Sequence, residues 1–403
     1  MKNLIKKFIP YFLLDFYHYL LAVIGAFLYG FPSRKLKVIG ITGTSGKSTV
    51  VELAVKILEE AGYKTASLSS IKFKIGGKEW QNKLKMTMPG RLKIQRFLSQ
   101  ANKAGCKYAV LEVTSEGIKQ YRHKFIDFKV ALLTNLSPEH IEAHGGFEKY
   151  KEAKAELFKA TKKIHIINLD DENAEYFWKI PAEKKIGYSI KLKTQNPKLK
   201  TTIQNLKLLG EFNLYNALAA AEVAVSQGVS LEVCQKALEK IEGIPGRMEI
   251  VIKEPFTVIV DYAHTPEELK NVYETLINSK LICVLGACGG GRDKWKRPVM
   301  GKIAAQYCQE IIITNEDPYD ENPMEIIDQV ASGIMNHELR IMKILDRREA
   351  IRKALKLARP GDIVVVTGKG SESWMCVAHG RKIPWDDRKI TKEEYGKIRS
   401  LRT

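Results

Sequence analysis

Residues 38–65, VIGITGTSGKSTVVELAVKILEEAGYKT, pass from an apolar, β-rich run into a helix-periodic run that stops at Gly62. A buried strand joined to a helix by a short turn is the building block of an open, largely parallel sheet flanked by helices. The turn itself is Gly43-Thr44-Ser45-Gly46-Lys47-Ser48-Thr49. Glycines let backbone N–H groups curl around an anion, a helix N-terminus favours negative charge, and a lysine here reaches terminal phosphates. The usual spelling, G-x-x-x-x-G-K-[ST], puts a glycine where this chain has Ile41, so Gly43 takes its part in a tighter loop. These seven residues are therefore expected to hold the phosphates of a nucleotide, with Ser48 or Thr49 available to Mg²⁺. The bland alternative is a plain strand–turn–helix with a solvated Lys47, which the clustering of G-K-S-T in this context disfavours.

Strand and helix patterns continue to alternate. KYAVLEVTSEG (107–117), DFKVALLTNLSPEH (127–140) and IHIINLDD read as strands, and FEKYKEAKAELFKATK as a helix. Glu112, Asn135, His140 and Asp170 fall at or just past strand ends, where ligands of such sheets sit. The Gly- and Pro-containing IEGIPGRMEI (241–250) marks a boundary, after which the alternation restarts with TVIVDYAH and KLICVLGACGGGRDK. A chain of 403 residues is long for one core. The predicted fold is α/β: a P-loop-type, mostly parallel sheet over 34–244, then a smaller Rossmann-like α/β domain over 245–403.

Residues 1–33 stand apart. FIPYFLLDFYHYLLAVIGAFLYGF (8–31) is long and apolar, but Pro10, Asp15 and His18 interrupt it. Lys2, Lys6 and Lys7 precede it, and Arg34, Lys35 and Lys37 follow, so charge gives no orientation. Three placements are open: on a membrane surface, packed on the protein, or across a bilayer. Interfacial aromatics and flanking cations favour the first, a peripheral contact through residues 4–31 at the inner face of the membrane. The formal charge of +19 suits anionic partners, yet no RNP, zinc-finger or helix-turn-helix signature points to nucleic acid. Six cysteines without a C-x-x-C pair suit a reducing cytosol and give no disulfide framework or zinc ribbon. Oligomeric state is not readable.

GTSGKST, EVTSEG, TNLSPEH, EAKAELF, NLDDEN, GEFNLYNALAA, GRMEI, DYAHTPEEL, GGGRDKWKRPVMG, NEDPYDENP and GKGSES follow one another in the order seen in the Mur ligase family. The chain resembles that family over residues 36–390, and within it the enzymes that add the third residue of the peptidoglycan stem peptide. The resemblance implies a cytoplasmic, ATP-dependent ligase. ATP phosphorylates a substrate carboxylate, an amine attacks the acyl phosphate, and phosphate leaves. It implies that Lys47 cradles the phosphates and that Ser48, Glu112 and His140 hold Mg²⁺. Lys154 in EAKAELF matches the family's carbamylated lysine. Asn168, Asn213 and Asn216 resemble adenine contacts, although an asparagine at a cap or turn is the plainer reading of at least one. Arg247 resembles the arginine that meets the γ-phosphate, and Asp261 the aspartate that binds ribose. Thr87, Thr114, Gln120 and Arg122 match contacts to the nucleotide-sugar peptide, and Arg292, Asp317 and Glu372 contacts to the incoming amino acid. Glu372 would hold the side-chain amine of a diamino acid.

The chain departs from the pattern at Met88, Glu116 and Ser371, in positions that concern substrate rather than ATP. Family members also carry an N-terminal domain that grips uridine diphosphate, whereas here the apolar segment runs almost straight into the first strand. Members that use meso-diaminopimelate read D-N-P-R where this chain has Glu316-Asp317-Pro318-Tyr319. Loss of the arginine and gain of an acid favour a diamino acid without a distal carboxylate, such as lysine. Two rival readings keep the scaffold: a ligase with another acceptor, of the folylpolyglutamate-synthetase or lipid-linked-precursor kind, and a non-catalytic nucleotide-binding scaffold at the membrane.

Overall fold

The computed structural model describes residues 11–84, 86–192, 196, 198–335 and 339–400. The chain divides into two compact units. The first comprises 1–138, 147–206 and 213–240, and the second 139–146, 207–212 and 241–403.

The first unit is built on eight strands: β1 (Lys37–Thr42), β2 (Thr65–Leu68), β3 (Lys72–Ile75), β4 (Lys78–Gln81), β5 (Tyr108–Glu112), β6 (Phe128–Leu133), β7 (Ile164–Asn168) and β8 (Lys184–Tyr188). Their order is β4-β3-β2-β5-β1-β6-β7-β8. β1 pairs in parallel with both β5 and β6, and only the β2–β3–β4 edge is antiparallel. β1, β5 and β6 are buried on both faces, which is why they read as unbroken apolar runs. The helices that matter to the site are α1 (Tyr11–Leu28), α2 (Lys47–Glu60), α3 (Arg91–Lys103), α4 (Ser115–Lys119), α5 (Phe147–Ala160) and α6 (Glu211–Ser226). α2 is buried along most of its length and fills the crossover from β1 to β2.

α1 packs on α3 through its smallest residues. Ala22 and Ala26 are buried, and Gly25 lies so near Leu92 and Gln95 that a methyl group there would just reach van der Waals contact with α3. Tyr19 lies against Tyr121 and Phe125. The opposite face is bare: Leu13, Phe16, Tyr17, Leu20, Ile24 and Phe27 are all exposed. At 3.6 residues per turn they fall within roughly 120° of the helix circumference. No helix among the described residues is long and apolar enough to cross a membrane.

The second unit holds β9 (Glu249–Ile252), β10 (Thr257–Val260), β11 (Leu281–Leu285), β12 (Glu310–Thr314), β13 (Arg340–Ile344) and β14 (Ile363–Val366), in the order β13-β12-β11-β14-β10-β9. All neighbours are parallel except β9 with β10. A hairpin of β15 (Trp374–Val377) and β16 (Arg381–Pro384) stands beside the sheet. The cysteine reading needs a correction here. Cys283 on β11 and Cys308 are joined as a disulfide within the apolar core. Their separation of 25 residues spans one strand–helix–strand crossover, which returns Cys308 beside β11 just before β12 begins, and no local spacing signals that.

Candidate active site

The loop between β1 and α2 is moulded from two sides. Gly43 has φ 149° and Gly46, the N-cap of α2, has φ 77°, backbone states that side-chain-bearing residues rarely adopt. A Cβ on Gly43 would run into Thr134 Oγ1, and one on Gly46 into Asn216 Oδ1. The segment after β6 pins the loop. Thr44 N donates to Asn135 O at 2.9 Å, Ser45 N to Asn135 Oδ1 at 2.9 Å, and Thr134 Oγ1 to Ser45 O at 2.7 Å. Thr44 Oγ1 donates to Ser137 O at 3.1 Å. The first turn of α2 carries no acidic residue and no side-chain cap, so its leading N–H groups face the loop as an uncompensated positive end.

Around this loop stand the expected chemical groups of the first unit. Lys47 Nζ donates to Thr44 O at 2.6 Å, which folds the ammonium over the loop. Glu112, at the carboxyl end of β5, accepts from Ser48 Oγ at 2.8 Å and from Ser70 N at 2.9 Å. The Ser48 hydroxyl and the Glu112 carboxylate are adjacent hard oxygen donors, a pair that fits Mg²⁺. Among the described residues no group of three or more His, Cys, Asp or Glu converges on one point. Lys154, on α5 and 1% exposed, donates to Gly43 O at 2.6 Å and lies 4.5 Å from the centre of the Tyr150 ring. Thr49, the third residue of α2, is buried.

The three asparagines divide. Asn168 closes a turn: its Nδ2 donates to Thr134 O at 2.9 Å and its Oδ1 accepts from Asp170 N at 3.1 Å. Asn216 abuts Gly46 and donates to Asn213 Oδ1 at 3.0 Å, so this pair lies at the loop between β1 and α2. Thr114 caps α4, accepting from Gly117 N at 3.1 Å. Gln120 and Arg122 follow α4 and bond to each other, Arg122 Nη2 to Gln120 Oε1 at 2.8 Å. Thr87, half-buried, sits in the segment leading to α3.

His140 belongs to the second unit. It has φ 57° and opens the one-turn helix Ile141–His144, and its ring lies against Arg292, whose Nη1 is 3.1 Å from Nε2. Asp293 accepts from the backbone of Ile141 and Glu142 at 3.1 and 3.0 Å, fixing that turn. The Arg247 guanidinium stacks 4.2 Å from the Tyr262 ring centre. Asp261 is buried, and each carboxylate oxygen takes a backbone N–H, from Met248 and Ala263, both at 2.6 Å. Burial raises its pKa, against the pull of Arg247 and those two N–H groups. Asp317 and Glu372 are not open carboxylates. Lys369, fully buried, donates to Asp317 at 2.9 Å and to Glu372 at 2.5 Å, so a resident ammonium already stands between them. Tyr319 packs its ring on Gly290.

Sequence reasoning placed Asn135 at a strand end but missed its clamping role, the clamps Thr134 and Ser137, the Ser70 contact to Glu112, and Lys369. TNLSPEH at a strand end was the one visible signal for the clamps. The lysine of GKGSES carried no mark of its direction.

Comparison with known proteins is consistent with this geometry. Residues 41–224 match the Mur ligase middle domain, and residues 246–370 the Mur ligase glutamate ligase domain. The UDP-N-acetylmuramoyl-L-alanyl-D-glutamate–2,6-diaminopimelate ligase of Syntrophomonas wolfei is 40% identical, over 93% of this chain and 81% of that one. The UDP-N-acetylmuramyl-tripeptide synthetase of a Roseiflexus species is 36% identical, over 91% and 80%. A solved UDP-N-acetylmuramoyl-L-alanyl-D-glutamate–2,6-diaminopimelate ligase superposes with TM-score 0.58 at 31% identity, over 90% of this chain and 79% of that one. Folylpolyglutamate synthase of Mycobacterium tuberculosis, at 18% identity and TM-score 0.66 over 86% and 92%, shares the fold.

Proposed function

Because this chain belongs to the Mur ligase family, we propose that it is an ATP-dependent ligase that joins a carboxylate of a peptidoglycan-precursor peptide to an amino acid. The observation that carries this reading is the moulded loop at the head of α2, with Lys47, Ser48, Glu112 and Lys154 gathered on it. The loop N–H groups and Lys47 hold the ATP phosphates, and Asn213 and Asn216 are assigned to the adenine. Mg²⁺, when bound through Ser48 and Glu112, neutralises phosphate charge. Phosphoryl transfer to the donor carboxylate gives an acyl phosphate, which the amine of the second substrate attacks, releasing phosphate. Arg247, Asp261 and His140 of the second unit are assigned to the γ-phosphate, the ribose and the metal, and Thr87, Thr114, Gln120 and Arg122 to the nucleotide-sugar peptide. Incubation with ATP, Mg²⁺, UDP-N-acetylmuramoyl-L-alanyl-D-glutamate and a panel of amino acids, with phosphate release measured, tests the reading. No amino-acid-dependent phosphate with this donor would overturn it.

The acceptor is the least constrained part. Arg292, Asp317 and Glu372 are assigned to it, with Lys369 offsetting one negative charge. Glu316 remains a buried acid beside them, and Tyr319 offers no cation for a distal carboxylate. Lysine is expected to be incorporated over meso-diaminopimelate at equal concentration. Preferential incorporation of diaminopimelate would show that Tyr319 does not exclude that carboxylate.

The bare face of α1 is assigned to the inner surface of the membrane, with Arg34 and Lys35 just beyond it to meet anionic lipid. Burying a large apolar side chain is worth about 2 kcal/mol. The triple substitution Phe16→Glu, Leu20→Glu, Phe27→Glu is therefore expected to cut binding to phosphatidylglycerol-containing liposomes at least about tenfold while ATP binding stays intact. These positions are preferred to deletion of residues 1–33, which would strip the cover from α3. Equal partition of the two proteins would sink the assignment.

A further inference from the structure

Cations and aromatic rings alternate along the edge of the first sheet where its parallel strands begin. Phe27, 69% exposed on the bare face of α1, meets the Phe31 ring at 5.1 Å, and the Arg34 guanidinium lies 4.5 Å over Phe31. Lys35 ends the same short turn, Pro32–Lys35, and Lys37 opens β1. Lys37 N donates to Lys107 O and Lys107 N to Lys64 O, so the residues that lead into β1, β5 and β2 stand side by side. Lys37 Nζ lies 5.6 Å and Lys107 Nζ 5.8 Å from the centre of the Tyr108 ring, and Lys107 Nζ is 4.2 Å from that of Tyr63. Arg34, Lys35, Lys37, Lys64 and Lys107 are all exposed, and among the described residues none of them pairs with a carboxylate. Glu59 and Glu60, at the end of α2 just before Tyr63, are taken by Lys74 and by Lys236 and Lys240. Across β1 the pattern changes: Lys129 of β6 pairs with Asp127 at 2.6 Å, and Lys163 before β7 with Glu183 at 2.7 Å.

We propose that this edge is a docking surface for anionic lipid headgroups, continuous with the bare face of α1. Exposed cations without acids beside them attract the phosphates of an anionic leaflet, each with a gain of about fivefold in binding. Rings interleaved with them suit the headgroup layer, where an aromatic side chain keeps its body out of water. An apolar helix face alone enters any bilayer, whereas the lysine edge makes the contact select for negative charge. The proposal rests on the membrane assignment of α1 and adds an orientation to it. β1 carries Lys37 at one end and Thr42 at the other, roughly 17 Å apart at 3.3 Å per residue. With the lysine edge on the headgroups, the loop after Thr42 opens toward water, where a soluble nucleotide can reach it.

The test uses the full chain, sedimented with phosphatidylcholine vesicles that either contain or lack phosphatidylglycerol. Lys37→Gln, Lys64→Gln, Lys107→Gln together remove three cations of the edge. Lys253→Gln, Lys302→Gln, Lys382→Gln remove three exposed cations of the second unit and match that change in charge. The edge variant is expected to lose at least about tenfold in affinity for the anionic vesicles and nothing on the neutral ones, with ATP-analogue binding and melting temperature unchanged. Arginine at the same three positions should bind as wild type does. The charge-matched control should stay within about twofold of wild type, since its cations lie off the edge. Wild-type binding to anionic vesicles should also weaken steeply with salt, a readout that needs no variant. A smaller loss in the edge variant, an equal loss in the control, or salt-insensitive binding overturns the surface. Tighter lysine-dependent binding to oligouridylate than to anionic vesicles overturns it as well, and gives the edge to single-stranded nucleic acid. The α1 variant described above keeps the two readings apart. If it matches wild type on neutral vesicles while the edge variant loses its anionic binding, the α1 assignment falls alone. If it loses neutral binding while the edge variant keeps its anionic binding, the lysine edge falls alone.

Discussion

Lys47→Ala is expected to lower ligation by at least about 10²-fold and to weaken ATP binding sharply, because it removes the ammonium folded over Thr44 O in the loop proposed to hold the phosphates. The fold should survive. The loop is held by Asn135, Thr134 and Ser137 through bonds to Thr44 and Ser45. On the proposed reading Lys47 supplies a preorganised positive charge where charge shifts between phosphoryl oxygens, and alanine would leave the backbone N–H groups in that place. Titration with a non-hydrolysable ATP analogue and single-turnover phosphate release separate the two effects. Near-normal turnover of the variant would mean that the loop does not carry the phosphates, and the ligase reading would fall with it.

Lys154→Ala is expected to cost as much activity while leaving ATP binding nearly intact. Lys154 is buried, bonded to Gly43 O and set against the Tyr150 ring. As an ammonium it would add positive charge to a site already served by Lys47. Carbamylation by CO₂ would reverse its sign: the ammonium gives up one proton, the free amine nitrogen bonds the carbon of CO₂ and loses a second proton, and an anion remains. The carbamate keeps one N–H, enough for the Gly43 bond. Activity should therefore rise with bicarbonate at fixed pH, and ¹³C-labelled bicarbonate should give a carbamate resonance that Lys154→Ala lacks. A high-resolution map with a bare ammonium at Lys154 in the presence of ATP and Mg²⁺ would remove the proposal. The contrast in ATP affinity between the two alanine variants keeps the roles of Lys47 and Lys154 apart.

Much of this was legible before the structure. The β1–loop–α2 unit follows from periodicity and two glycines, because strand and helix periods are local properties of the chain. The ends of β5 and β6, with Glu112 and Asn135, follow from the rule that parallel strands present ligands at their carboxyl ends. What stayed hidden depends on which side chain meets which across long stretches of chain. Asn216 reaches Gly46 from 170 positions away, and the spacing of neither residue announces the other. Lys369 reads as one of many lysines, yet it neutralises Asp317 and Glu372.

The mould around the phosphate loop has a consequence for how such a chain can diverge. Gly43 and Gly46 are each held to glycine twice over, by φ of 149° and 77° and by Thr134 Oγ1 and Asn216 Oδ1 where a Cβ would stand. Emptying position 134 or 216 relieves only the second constraint. In a deep set of descendants both glycines should therefore stay fixed even where the opposing positions and the acceptor pocket drift.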